Sequence, residues 1–126
     1  MVENNMGKDN CVVYTGSSFT IEWYYDVNGY SQAYEYFLAT AQEQKRKFFV
    51  LVKRLAEYGK IFDKTKFRYE GAEIYAFKPQ PDRYLAFFRQ GRKIIITNAF
   101  CKKSNKLPKN EKLRAQKNRT DYLSRF

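Results

Sequence analysis

The apolar positions of this 126-residue chain change period along its length, and each change marks an element. Residues 19–25 alternate: Phe19, Ile21 and Trp23 fall on one side, Thr20 and Glu22 on the other. That period of two predicts a half-buried strand. Asp26-Val-Asn-Gly29 is a turn signal. From 31 to 58 the period becomes helical. Tyr34, Phe37, Leu38 and Ala41 form one apolar stripe; Phe48, Phe49, Val52, Leu55 and Ala56 form a second. The polar stretch 42–47 between them predicts two helices or one bent helix, with Ser31 as N-cap and Gly59 just past the C-terminus. Both stripes read as core packed against a sheet.

Three short strands follow, at 73–78, 83–89 and 93–100. Pro79-Gln-Pro-Asp82 separates the first two, because proline cannot donate inside a ladder, and Gln90-Gly-Arg92 makes a tight hairpin. Ile94, Ile95 and Ile96 give the third strand a β-branched run, and Phe67–Tyr69 adds a smaller strand. Pro108 suits the first turn of a last helix reaching 125. Residues 1–18 hold neither period and read as a flexible arm that can add a short edge strand, which leaves one domain over 19–126. The order predicts an α+β fold. An N-terminal strand and helix pair pack on one face of a small antiparallel sheet, a basic C-terminal helix follows, and the other face is left for a partner.

Charge sharpens this picture. The formal net charge is +11, and residues 101–126 carry nine Lys or Arg against two acids, Glu111 and Asp121. A strand that feeds straight into such a run presents cations to a phosphate backbone. The tail's large apolar residues, Leu107, Leu113, Tyr122, Leu123 and Phe126, make too thin a face for a membrane surface, so nucleic acid is the favoured partner and an acidic protein the second. No apolar run approaches the ~18 residues that span a bilayer, and the N-terminus has no apolar leader region, so a cytoplasmic protein is expected. Histidine is absent, and Cys11 and Cys101 lack metal-ligand spacing, so neither metal nor cofactor is expected. Cys101 reads as a half-buried small residue rather than an activated thiol.

The strand directions gather the candidate chemistry. Lys78 ends one strand and Arg83 opens the next; the third returns to the same end and delivers Lys102, Lys103 and Lys106. Cleaving RNA requires a ribose 2′-OH to lose a proton, the pentavalent phosphate to be stabilised and the leaving 5′-oxygen to gain a proton. An Arg fork matches phosphate oxygens, and a Lys crowded by cations moves toward a general-base pKa. Asp82 and Glu73 read as charge neutralisers beside the rim. Lys106, Lys109, Arg89, Tyr84 and Tyr122 form the candidate RNA-binding set, with Tyr84 and Tyr122 weighed between base stacking and core packing. Composition alone leaves open a rim that only binds and one that also cuts.

Glu73-Ile-Tyr-Ala-Phe-Lys78, Arg83-Tyr-Leu-Ala-Phe-Phe88, Ile94-Ile-Ile and Ala99-Phe-Cys-Lys-Lys-Ser-Asn-Lys106-Leu-Pro108 together resemble the phage-derived Gp49-like, HigB/RelE-type branch of the RelE/ParE toxin superfamily. The Phe-x-Lys-Lys-x-x-Lys-x-Pro element at 100–108 is the most specific part. The resemblance implies the toxin of a type II toxin–antitoxin pair that cuts messenger RNA on the ribosome, without metal, by 2′-OH attack. It implies Lys78, Arg83, Lys102 and Lys103 as catalytic, with Lys106 on a flanking phosphate. It also implies a cognate antitoxin, a helix-turn-helix protein with an acidic segment, in a hetero-oligomer. Lys78 stands where relatives often carry Arg, and Ala99 where Gly is usual. The alternatives are a decayed, non-catalytic RNA-binding or regulatory protein of the same fold, and a gyrase-inhibiting toxin.

Overall fold

The computed structural model describes residues 11–126; the first ten residues of the expected arm lie outside this range. The elements are β1 Val12–Thr15, β2 Thr20–Trp23, α1 Gln32–Ala39, α2 Gln42–Tyr58, β3 Phe67–Tyr69, β4 Tyr75–Phe77, β5 Asp82–Arg89, β6 Lys93–Cys101 and α3 Lys109–Arg125. Among the described residues this is an α+β arrangement of three helices and one six-stranded sheet, ordered β1-β2-β6-β5-β4-β3. No helix among them is long and apolar enough to cross a membrane.

The helix pair forms for local reasons. Ser31 Oγ accepts from the Tyr34 N–H at 3.2 Å and caps α1. The chain is extended at Thr40 and Ala41, so α2 starts at Gln42 and the polar stretch 42–47 makes its first turns. Gly59, at φ 82°, ends α2 in the left-handed conformation that a side chain resists.

The sheet is mixed, which corrects the expected antiparallel one. β2 runs parallel to β6, pairing Ile21 with Ile94 and Trp23 with Ile96. The cause is topological: the helix pair and the meander between β2 and β6 form a long crossover, and only a long crossover can join parallel neighbours. β1 pairs antiparallel with β2 at the edge.

Both faces are covered near the centre. On the first face, α1 and α2 pack Phe37, Phe48, Val52 and Leu55 against Ile21, Trp23, Phe77, Tyr84, Ile94 and Ile96. On the second, α3 sets Ala115 and Tyr122 among Leu85, Phe87 and Ile95. The expectation of an open second face therefore fails. Both faces of β5 and β6 are apolar, as central strands require, and the second face needs its own cover. Burying the Tyr122 ring there stabilises the fold by about 2 kcal/mol.

One irregularity decides what faces the second side. The register of β5 and β6 slips between Leu85, opposite Asn98, and Ala86, opposite Ile96, leaving Thr97 as an extra residue. The buried Thr97 hydroxyl donates to the Leu85 carbonyl at 3.1 Å and lies 2.7 Å from Asn98 Oδ1. Asn98 Nδ2 in turn donates to the backbone carbonyl of Glu111 at 3.2 Å and to its carboxylate at 3.1 Å, which pins the first turn of α3. Past the bulge the alternation is inverted. Ala99 joins the first core and Phe100 packs against the second. Without the extra residue, the strand's end and the lysines behind it would have faced the helix pair.

Candidate phosphate-binding cleft

The second face stays open beside α3, at the rim where β4 ends, β5 begins and β6 ends. Lys78, Arg83, Lys102 and Lys106 line one cleft there, with Glu70, Phe100 and Leu107. Strand alternation sets this grouping. Ala76 and Lys78 share a side of β4 and its continuation, while Arg83 and Leu85 share a side of β5. Lys102 is held by its backbone N–H, which donates to the Pro81 carbonyl at 2.8 Å.

Arg83 is anchored from behind. Its Nη1 donates to the Asp82 carbonyl at 2.9 Å, and burial pulls the guanidinium pKa down. The Asp82 charge acts on Arg83 and opposes the fall of the guanidinium pKa. The Asp82 carboxylate is buried on the other face, where it accepts from the Tyr36 hydroxyl at 2.5 Å and from Gln44 Nε2 at 2.9 Å. It ties both helices to the start of β5 and so fixes where Arg83 leaves the sheet. Burial and the adjoining Asp82 carboxylate push the Tyr36 phenol far above its ordinary value.

Lys78 is the perturbed amine of the site. Burial holds its pKa below the ordinary 10.5, and the positive charges of Arg83, Arg68 and Lys102 add to that; only Glu70 opposes it. Glu70 Oε2 lies 3.9 Å from Lys78 Nζ, and both side chains are largely buried, at 18% and 13% exposure.

Glu70 is the residue that the sequence reading missed. Glu73 was the expected acid, but it sits in the β3–β4 turn, where Gly71, Ala72 and Glu73 all have positive φ, and its N–H donates to the Tyr69 hydroxyl at 3.2 Å. That turn leaves Glu70 bonded to Ile74 through the backbone and on the same side as Arg68. Extending the Phe67–Tyr69 alternation by one residue would have placed it.

Other expected residues lie elsewhere. Lys103 and Lys109 are exposed and do not line the cleft. Arg89 sits at the opposite end of β5, donating to the Phe126 carbonyl, with its guanidinium 5.5 Å from the Tyr122 ring centre. Tyr84 is 1% exposed, with its ring centre 4.2 Å from that of Phe48, so it cannot meet a base. Tyr122 packs edge-on to Phe87 at 5.6 Å and docks α3. Both rings are core because central-strand positions and the helix over them are covered. Cys101 is exposed rather than half-buried, since it ends β6 beyond the cover of α3. No cluster of metal-binding side chains occurs among the described residues.

The cleft encloses about 30 Å³, near the liquid volume of one water molecule. It can seat phosphate oxygens but not a nucleobase. A family model described as Phage derived protein Gp49-like (DUF891) matches residues 35–120, a span that contains α2, the meander, every cleft residue and most of α3. No curated protein matches the chain.

Proposed function

The chain belongs to the phage-derived Gp49-like family, a RelE/HigB-type toxin branch, and from that premise we propose that it is the toxin of a type II toxin–antitoxin pair, an endoribonuclease that cuts messenger RNA on the ribosome by 2′-OH attack. The observation that carries this reading is the cleft itself, in which three lysines and Arg83 converge around a single carboxylate.

The chemistry distributes over these groups as follows. The Arg83 guanidinium and the Lys102 ammonium hold the scissile phosphate and take up the charge that develops on its oxygens. Glu70 accepts the proton of the ribose 2′-OH as that oxygen bonds to phosphorus. The bond from phosphorus to the 5′-oxygen breaks, and the Lys78 ammonium gives its proton to the departing oxygen. The products are a 2′,3′-cyclic phosphate and a 5′-hydroxyl. Glu70 then carries the extra proton and Lys78 lacks one, and the 3.9 Å separation lets the pair exchange it and reset. Lys78 suits the donor role because its depressed pKa makes it a stronger acid than a free lysine. Lys106 grips a flanking phosphate, and the cations of the last helix, with Lys103 and Lys109, extend the field that draws RNA in.

An antitoxin is part of this reading. The charge of +11 invites anionic cover, and an acidic segment of a helix-turn-helix protein would fold over the cleft and silence it in a hetero-oligomer. Mapping cut sites on translated messenger RNA after induction, wild type beside Arg83→Ala, tests the proposal. Cuts in wild type that vanish in the variant support it; intact messages in arrested cells would refute it.

A further inference from the structure

A cavity larger than the cleft lies on the first face. It is a groove of about 530 Å³ between the end of α2 and the edge strand β3. Aromatic rings dominate it. Phe67 and Tyr75 stack with centres 5.5 Å apart, and Tyr69 adds a ring 4.9 Å from Tyr75. The rings nearest solvent are Phe62, 83% exposed, and Tyr69, 50% exposed. The charged lining is entirely cationic: Lys60, Lys64 and Arg68, with no Asp or Glu. Lys60 Nζ stands 5.4 Å from the Phe62 ring centre.

Groove and cleft adjoin. The Lys64 carbonyl accepts from Lys78 Nζ at 3.4 Å, so a residue of the groove touches the central amine of the cleft. Only β3, the edge strand of the sheet, separates the two. The cleft has no room for a base. A polynucleotide seated there must place its bases elsewhere.

Resting on the RNA reading above, we infer that the groove is a base-stacking subsite: a single-stranded RNA gripped by its phosphate in the cleft turns around the β3 edge and lays an unpaired base against Phe62 and Tyr69. Lys60 and Lys64 in the groove, and Arg68 on the cleft side of β3, then neutralise the phosphates on either side. Aromatic faces interleaved with cations are how proteins hold single strands without reading their sequence. An acidic amphipathic peptide would also suit a cationic apolar groove. The shared residue Lys64 and the missing base space favour the RNA.

The test measures fluorescence anisotropy of the full chain with labelled octauridylate and with an oligonucleotide of equal length carrying abasic sites. Phe62→Ala should bind octauridylate about ten-fold more weakly than wild type and the abasic strand equally well. Phe62→Trp should restore the affinity. Phe62 is too exposed for its loss to disturb the core. If Arg83→Ala weakens binding while Phe62→Ala does not, the subsite is refuted and the RNA reading survives; the groove then serves a protein partner or none. If wild type binds neither strand, the subsite is refuted, and the map of cut sites alone decides the RNA reading.

Discussion

Lys78 Nζ stands 3.9 Å from Glu70 Oε2, a cation just past β4 and an anion just past β3, both shielded from solvent by the cleft they line. Cleavage that uses the ammonium as acid has a pH profile with an alkaline limb. The alkaline limb falls at a lower pH than the 10.5 of free lysine, because burial and neighbouring cations depress the Lys78 pKa. Glu70→Gln lowers the single-turnover rate about 100-fold and moves the alkaline limb further down by deleting the one charge that raises the Lys78 pKa. Single-turnover cleavage of programmed ribosomes across about pH 5 to 10 reads both effects. A Glu70→Gln enzyme with the wild-type profile would remove Glu70 from the chemistry.

Arg83→Ala should abolish growth arrest and reduce cleavage by roughly 100- to 1,000-fold, the usual cost of losing a charged donor to a developing oxyanion. The Asp82 anchor to Tyr36 and Gln44 does not pass through the Arg83 side chain, so the fold should persist. Circular dichroism and a melting curve establish that the variant is folded. Undiminished toxicity of a folded Arg83→Ala protein would take the phosphate away from this residue.

The attachment of α3 should depend on pH at both extremes. The Tyr24 hydroxyl donates to Asp121 Oδ2 at 2.5 Å, and Arg125 Nη2 pairs with the same oxygen at 2.7 Å. These bonds hold the Asp121 pKa below its ordinary 3.8, so its stabilisation is complete above that value and is lost as pH falls through the depressed one. Burial and the Asp121 bond push Tyr24 up to about 12, so its contribution is complete below 10 and disappears as pH rises toward 12. Thermal melts of Asp121→Asn should lie below wild type at neutral pH and converge with it in acid. Parallel melting curves down to pH ~2 would argue against the tether.

Thr97→Val should destabilise the fold by about 1–2 kcal/mol, since it leaves the Leu85 carbonyl without its buried side-chain donor. It should also reduce cleavage, because the bulge and the Asn98 bonds to Glu111 set the position of the 102–108 loop. Denaturant titration gives the first quantity and the cleavage assay the second. A variant as stable as wild type would show that the bulge does not rely on the hydroxyl.

The elements were legible in the sequence because each is written in local signals. Ser31 and Gly59 mark the helix pair through capping chemistry, and the proline pair and the hairpin glycine bound the meander strands. The convergence of Lys78, Arg83, Lys102 and Lys106 followed from strand direction alone. What escaped was non-local. The parallel β2–β6 pair depends on a crossover whose closure no window contains. The cover over the second face depends on where α3 docks, and its apolar residues are too sparse to announce it. The bulge at Thr97 left one faint trace: two polar residues, Thr97 and Asn98, interrupting an apolar strand. Glu70 was missed because β3 is only three residues long, so its alternation was too brief to extend with assurance.

The parallel pair has a consequence for synthesis. Ile21 finds its neighbour only when Ile94 has been made, and Lys102 and Lys106 emerge later still. An unfinished chain therefore lacks both its middle strand and its phosphate grip. The cleft is therefore assembled only on release of an almost complete polypeptide.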